Sequence, residues 1–137
     1  MLIKNKIFDQ SGISFYQQIL KVSSAAVKVT ASNIANVGTQ GYDAKSVDFK
    51  DEMKNFLSTQ KHIAPIATDP GHIAPPKPAE IVHIKEVGGE ENASGINNVD
   101  VEKEMTNLSE SQIIYELGAK KAAKAFGLLR MAIRGKS

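Results

Sequence analysis

The C-terminal part of the chain carries the pattern that most restricts its fold. From residue 101 to residue 133, side chains that are apolar or small, except Gln112, recur at alternating steps of three and four residues, through nearly five heptads. Such a repeat places its members on one side of an α-helix, as in a coiled coil. The members are Val101, Met105, Leu108, Gln112, Tyr115, Ala119, Ala122, Phe126, Leu129 and Ile133.

The charges near the two ends of this region support a single long helix. Asp100 and two glutamates fall in its first turns, and bases fall at its end. Both sets complement the helix dipole, and Gly135 is a predicted stop. A helix from Asp100 to Arg134 would be roughly 50 Å long, which is too long and narrow for an ordinary globule. The pattern therefore favours a coiled coil.

A second, weaker stripe of the same period lies near the N-terminus. Asp9 or Ser11 is placed to cap its start, and Gly38 is the predicted residue just past its end. The stretch VSSAAVKVTAS (22–32) is rich in residues that form helices poorly, so this helix needs a partner. The stripe consists of Ile13, Tyr16, Leu20, Ser23, Val27, Thr30, Ile34 and Val37.

These two regions predict a mainly α fold of one domain. Long N- and C-terminal helices pair as an α-helical coiled coil, with an irregular central loop and a short helix or strand between them. The predicted bounds are 1–37 for the N-terminal helical segment, 38–98 for the turn and the loop, and 99–137 for the C-terminal helix.

The central region starts where the first helix breaks. A Gly-Thr-Gln-Gly turn follows the helix, and Gly41 is expected to adopt a positive φ. Residues 42–49 have an extended pattern, and Asp48 is placed to cap a short helix with Phe49, Met53, Phe56 and Leu57 on one face. All five prolines follow residue 61, so 61–98 is predicted to be a long extended loop.

Composition excludes several classes of function. The chain has no cysteine, and its net charge of +2 is too small to indicate a nucleic-acid partner. No apolar run approaches the roughly 20 residues of a membrane span, and the first residues do not resemble a cleavable signal peptide. We therefore expect neither membrane insertion nor a cleaved leader.

No group of residues predicts catalysis or a cofactor. His62, His72 and His83 are ten and eleven residues apart, which is roughly 30 Å in an extended Pro-rich chain. Solvated loop histidines explain them better than a metal site does. Asp48 and Asp51 have the spacing of a helix cap. We expect no enzymatic activity, no cofactor and no metal.

The stretch NIANVGTQGYDAKSVDF (33–49) resembles the signature of the flagellar rod and hook family. In that family a helix ending in Asn-Ile-Ala-Asn meets a Thr-Pro-Gly-Tyr-Lys turn. Gln40 stands where the family usually has proline, and Asp43 where it often has lysine. The matching residues are Asn33, Ile34, Ala35, Asn36, Thr39, Gly41 and Tyr42.

Three features are similar to the short subunits of the proximal rod. The chain has no room for a large inserted domain, and AKSVDF (44–49) follows the turn directly. The segments TDPGHI (68–73), NNVDVEKEM (97–105) and AIRG (132–135) are also similar. Another short rod protein such as FlgC is an alternative, although FlgC-like chains carry a longer insertion after the turn.

The resemblance implies a structural function. Rod subunits are exported through the flagellar type III apparatus and assemble in the periplasm into a hollow drive shaft that transmits torque to the hook and filament and is required for motility. The implied partners are copies of the chain itself, FlgC, FlgF, FliE, the MS ring and the export gate.

The apolar members of the two helical stripes are the predicted assembly interface, and the C-terminal stripe is expected at or behind the inner wall of the tube. They are Ile13, Tyr16, Leu20, Val27, Ile34, Val101, Met105, Leu108, Tyr115, Ala119, Ala122, Phe126, Leu129 and Ile133. A discrete coiled-coil adaptor and an enzyme or metal protein that uses the loop histidines remain as readings from other classes.

Overall fold

The computed structural model describes residues 12–61, 82–88 and 96–135. In these ranges the chain forms three helices and two short strands: α1 (Ile13–Ala35), β1 (Lys45–Ser46), α2 (Phe49–Lys61), β2 (Lys85–Glu86) and α3 (Val101–Arg134). The predicted mainly helical fold, with long terminal helices joined through a loop and a short helix, is confirmed.

Helix α3 begins and ends where local chemistry predicts. Asp100 is its N-cap, and one carboxylate oxygen accepts hydrogen bonds from the backbone N–H groups of Glu102 and Lys103 at 3.0 and 3.2 Å. Gly135 ends the helix with a φ of 62°, the left-handed conformation that glycine adopts without steric cost. The predicted stop at Gly135 is confirmed.

Helix α1 is shorter than predicted at its C-terminal end. It ends at Ala35, so Val37 is not part of it, and Asn36 is its C-cap. Gly38 does not have a positive φ, and its predicted role as the glycine that ends the helix is wrong. The reason is that the N–H groups of Asn36 and Val37 bond back to carbonyls of the last turn without a left-handed residue. Asp9 and Ser11 lie outside the described residues; Gly12, with a φ of 69°, precedes the first turn.

Helices α1 and α3 pack side by side and antiparallel. Tyr16, near the start of α1, shares a groove with Leu128 and Leu129, near the end of α3. Thr30 shares another groove with Glu104, near the start of α3. Between them the helices approach closely at Gly118, where an added Cβ atom would lie only 2.8 Å from Cγ2 of Ile19.

The face of α3 that packs on α1 is not the predicted stripe. Its buried residues are Glu104, Gly118 and Ala122, and only Ala122 belongs to that stripe. The offset arises because α3 carries apolar residues on several sides, so periodicity alone does not choose among them. Close packing selects the smallest residues. Leu108, Ala119 and Leu129 of the stripe are half-buried, whereas Val101, Met105, Gln112, Tyr115, Phe126 and Ile133 are exposed.

On α1 the predicted stripe lies nearer to the packed face. Ile13, Ser23 and Thr30 are buried, and Tyr16, Leu20, Val27 and Ile34 are half-buried. Ser23 and Thr30 interrupt the apolar pattern in sequence, yet both face the interior. The Ser23 hydroxyl donates to the carbonyl of Ile19 at 2.6 Å, so its burial leaves no unpaired donor.

The central region is only partly irregular. Asp48 caps α2 as predicted, accepting a hydrogen bond from the backbone N–H of Asp51 at 2.9 Å. Met53 and Phe56 are buried on the predicted face, but Leu57 is 48% exposed. Residues 85–86, expected in a loop, form β2, which pairs antiparallel with β1 so that Lys45 lies opposite Glu86.

Candidate functional site

The first candidate site is the turn after α1, which contains the sequence motif. Asn33 is fully buried. Its side-chain amide donates to the carbonyl of Lys45 at 2.7 Å, and its oxygen accepts from the N–H of Lys45 at 3.0 Å. The same oxygen accepts from the Tyr42 hydroxyl at 3.1 Å. Asn33 thus pairs with β1 as a neighbouring strand would.

The other motif residues close the turn. The N–H of Thr39 donates to the carbonyl of Asn36 at 2.9 Å, and the Thr39 hydroxyl donates to the Asn36 side-chain oxygen at 3.2 Å. Gly41 has a φ of 70°, as predicted, and its N–H donates to the carbonyl of Ile96 at 3.2 Å. Ile34 is half-buried and Ala35 is exposed, so the polar motif residues and Gly41 form the connected group.

Asn97 attaches the turn to the segment before α3. Its side-chain amide group lies 2.9–3.0 Å from the carbonyls of Asn36, Val37 and Thr39. These carbonyls lie past the end of α1, and those of Asn36 and Thr39 also accept from the N–H groups of Thr39 and Tyr42. The Asn97 side-chain oxygen accepts from the N–H of Val99 at 3.0 Å. One buried side chain therefore joins the turn after α1 to the segment before α3.

Asn98 extends the connection to the strands. Its side-chain oxygen accepts from the N–H of Ala44 at 2.8 Å, and its amide donates to the carbonyl of Val87. The N–H of Val87 donates to the carbonyl of Ala44 at 2.7 Å. Motif, strands and the start of α3 consequently form one hydrogen-bonded unit, which we call the asparagine clamp (Asn33, Asn97, Asn98 and their backbone partners).

The asparagine clamp could not be predicted from adjacent residues, as the turn motif was. Apart from the N–H of Val99, Asn97 and Asn98 bind backbone groups that are between 11 and 61 residues away in the chain, so no local pattern reveals those partners. A signal was present in two adjacent asparagines, Asn97 and Asn98, close before the helix cap at Asp100.

The ionisable groups near the clamp are structural. The pKa of the Asp48 carboxyl lies below its ordinary value because the N–H of Asp51 binds the charged form; desolvation opposes this shift, and Lys85 and Lys50 add to it. Glu52 is buried; its carboxylate accepts from the N–H of His83 at 3.2 Å and lies 2.8 Å from Nδ1 of the His83 ring. The pair attaches residues 82–88 to α2.

Metal-binding groups are sparse in the described ranges. Residues 12–61, 82–88 and 96–135 contain no cluster of three or more histidine, aspartate or glutamate side chains that could hold an ion. The side chain of His83 is 66% exposed, and His62 and His72 lie outside the described residues. Within the same ranges no helix is long and apolar enough to cross a membrane.

The second candidate site is the exposed surface of α3. With 3.6 residues per turn, exposed apolar side chains form two stripes on opposite sides of the face that packs on α1. Stripe A is the exposed apolar part of the predicted stripe: Val101, Met105, Tyr115, Phe126 and Ile133, which are 42–85% exposed. Stripe B was not predicted: Ile113, Leu117, Leu128 and Met131, which are 48–67% exposed.

A helix that is apolar on three sides does not suit an isolated protein. Helices with apolar residues all round are normally buried on all sides, and contiguous exposed apolar surface marks interaction sites. Only α1 covers α3 extensively in the described chain, leaving both stripes in solvent. All 14 predicted interface residues lie on α1 and α3: Ile13 and Ala122 are buried, seven are half-buried, and the five of stripe A are exposed.

Comparisons with known proteins agree with the motif. A family model described as "Flagella basal body rod protein" matches residues 20–42, which include the end of α1 and the turn. The flagellar basal body rod protein FlgB of Bacillus subtilis (strain 168) is 33% identical over 109 residues, covering 79% of this chain and 81% of that protein.

Two enterobacterial proteins are similar over the same extent. The FlgB of Salmonella typhimurium (strain LT2) is 27% identical over 118 residues, covering 79% of this chain and 82% of that protein. The FlgB of Escherichia coli (strain K12) is 27% identical over 115 residues, covering 78% of this chain and 81% of that protein. The chain belongs to the FlgB family of flagellar basal body rod proteins.

Proposed function

We propose that this chain is a structural subunit of the proximal rod, polymerising through its terminal helices into the hollow shaft that transmits torque from the motor to the hook and filament. The observation that carries the proposal is the surface of α3. A helix of 34 residues exposes large apolar side chains along stripes A and B, which favours burial against neighbouring subunits. The function needs packing surfaces and no catalytic group.

The proposal includes the partners and the location that family membership suggests. The chain packs with copies of itself and with other rod proteins (FlgC, FlgF and FliE), next to the MS ring and the export gate. It is exported by the flagellar type III system and assembles in the periplasm. Motility then depends on it, since a filament without a shaft receives no torque.

Stripe A supplies the direct test. In a motile strain whose own copy is replaced, Phe126→Asp should remove rods, because a carboxylate buried without a partner costs several kcal/mol in each subunit. Phe126 is 43% exposed in the single chain, so the free energy of unfolding should fall by only about 1 kcal/mol. Rods would be counted by electron microscopy, and unfolding would be followed by circular dichroism.

The matched control is Asn55→Asp, which places the same carboxylate on the exposed surface of α2. It should leave the rod count unchanged. Normal rods with Phe126→Asp would contradict the proposed role of stripe A. A purified chain that forms one discrete dimer at every concentration, and cells that stay motile without it, would favour a coiled-coil adaptor instead.

A further inference from the structure

Charge is divided unequally along α3. Residues 101–118 contain four glutamates and one lysine, whereas residues 119–134 contain three lysines, two arginines and no acid. The first half therefore carries a net charge of −3 and the second half +5. An exposed ion pair joins the halves, with Nζ of Lys120 at 3.7 Å from a carboxylate oxygen of Glu116. Exposed pairs of this kind are weak, so the second half keeps its positive field.

The bases of the second half share a face of the helix with apolar side chains. Gly118 and Ala122 are buried on the side that packs on α1. Lys120 and Lys124 each follow one of them by two residues, which turns them roughly 200° away from that side. Met131 is nine residues past Ala122 and also lies opposite α1. The exposed residues of this side and its two edges, which we call the basic face, are Lys120, Lys121, Lys124, Leu128, Met131 and Arg134.

The first half of α3 provides an internal comparison. Stripe B runs through both halves, and its apolar residues are similarly open in each. Ile113 and Leu117 are 67% and 55% exposed in the first half, and Leu128 and Met131 are 54% and 48% exposed in the second. Glu110 lies one turn before Ile113, whereas lysines lie one turn before Leu128. The two halves of stripe B therefore differ in charge far more than in apolar exposure.

A partner of the basic face has to be anionic and also has to accept apolar groups. Nucleic acid would pair with the charges but would leave Leu128 and Met131 in water. The interface of an anionic bilayer accepts both, because its phosphates attract each nearby base and its acyl boundary takes apolar side chains. Lysine suits such an interface, since its apolar stem can lie below the phosphates while its ammonium group reaches them. A helix in this position does not cross the membrane, and no helix in the described ranges is able to.

We propose that the basic face binds the surface of a bilayer that contains anionic phospholipids. Helix α3 tilts so that its C-terminal half meets the surface, with Leu128 and Met131 below the phosphates, because the acidic first half is repelled. The contact belongs to the free chain and lies beyond the proposed function. Neighbouring subunits in a rod would cover the same face, so the bilayer holds the chain only before it assembles.

Vesicle binding by the purified full chain tests the charge. Sedimentation should recover at least tenfold more chain with vesicles of phosphatidylglycerol and phosphatidylcholine in equal parts than with phosphatidylcholine alone, and added salt should lower the recovery. Lys124→Glu should weaken binding to the anionic vesicles at least fivefold. The matched control is Lys103→Glu, which makes the same change of charge at an exposed position of the first half; its binding should not weaken as much as twofold. Equal binding to both kinds of vesicle, or equal losses in the two variants, would overturn the proposal.

Tryptophan fluorescence tests the inserted residues, since the chain has no tryptophan of its own. The emission of Met131→Trp should move to shorter wavelength when anionic vesicles are added, because the ring leaves water. Ile113→Trp, on the same stripe in the acidic half, should keep the emission of the free chain. A shift at 113 as large as that at 131 would mean that the whole of stripe B binds, and no shift at either position would mean that nothing inserts. Both results overturn the proposed contact.

The remaining outcomes separate this contact from the proposed function. All the substituted positions are exposed, and circular dichroism of each variant should show an unchanged helix content. Neither experiment involves rods, so a chain that ignores anionic vesicles would overturn the bilayer contact while rod assembly stands. If that chain also lost its rods with Lys124→Glu, the basic face would belong to an acidic surface of another protein.

Discussion

The asparagine clamp and the exposed surface of α3 use opposite chemistry. The clamp buries polar side chains, and each amide has backbone partners at hydrogen-bonding distance: Asn33 holds both backbone groups of Lys45, and Asn97 holds three carbonyls. Helix α3 leaves apolar side chains in solvent, with Ile113 67% and Ile133 85% exposed. The clamp satisfies its polar groups within a single chain, whereas α3 leaves part of its apolar surface uncovered.

The difference predicts where a substitution acts. Removing a buried amide destabilises the chain itself, because the backbone groups that it leaves unpaired keep their desolvation penalty. Exposed apolar residues contribute little to the stability of the single chain. They stabilise an assembly only where a neighbouring subunit covers them. Changes in the clamp should therefore lower the free energy of unfolding, whereas changes in stripes A and B should chiefly lower assembly.

The largest expected effect on the single chain comes from Asn33→Ala. It removes three hydrogen bonds and leaves both backbone groups of Lys45 unpaired, so the free energy of unfolding should fall by about 2–4 kcal/mol. Urea denaturation of the purified chain measures it. The control is Asn36→Ala, whose half-buried side chain makes two local hydrogen bonds, to the Ser32 carbonyl and from the Thr39 hydroxyl; because both partners can turn to solvent, its cost should stay below about 1 kcal/mol. Equal effects of the two substitutions would contradict the role given to Asn33.

Gly41→Val should have the next largest effect. Gly41 has a φ of 70°, and a β-branched residue strongly disfavours that conformation, at a cost of about 1–3 kcal/mol. Gly38→Val is the matched control, because Gly38 lacks a positive φ and an added Cβ meets no atom within 4 Å. Denaturation and rod counts should both separate the two variants. A chain that tolerates valine equally at 38 and 41 would show that the turn does not need this geometry.

The smallest effect concerns the packed face of α3. Gly127→Ala should stabilise the helix by about 1 kcal/mol, since an added Cβ at Gly127 meets no atom within 4 Å. Gly118→Ala gains the same helix propensity but forces Ile19 to move, and overpacking costs about 1–3 kcal/mol. Thermal unfolding of both variants should place Gly118→Ala below Gly127→Ala. The reverse order would mean that α1 and α3 do not approach closely at Gly118.

The sequence was most informative where a feature depends on neighbouring residues. The caps at Asp48 and Asp100, the stop at Gly135 and the positive φ of Gly41 all follow from the chemistry of a few adjacent positions. The face of α3 that packs on α1 could not be chosen in the same way, because apolar residues lie on three sides of that helix. The selection of Gly118 and Ala122 depends on how closely α1 approaches, which is a property of the pair.

The sequence does not predict the clamp, for a related reason. Asn97 binds carbonyls that are 58–61 residues earlier in the chain, and an asparagine in a loop gives no sign of so distant a partner. The end of α1 was misplaced for another reason: the N–H groups of Asn36 and Val37 bond back to carbonyls of the last turn, so the chain needs no left-handed glycine at position 38. The sequence next to the turn predicts its position, whereas the hydrogen bonds from Asn97 that hold it against the segment before α3 come from far along the chain.

Methionine oxidation tests the central claim on the unmodified chain. Met105 of stripe A and Met131 of stripe B are 51% and 48% exposed, while Met53 in the core is 8% exposed and serves as an internal reference. In the purified single chain, peroxide should oxidise Met105 and Met131 much faster than Met53, as followed by mass spectrometry. In isolated basal bodies both rates should fall to that of Met53, because neighbouring subunits cover the two stripes. If Met105 and Met131 keep their fast rates in the assembled rod, the exposed surface of α3 is not the assembly surface.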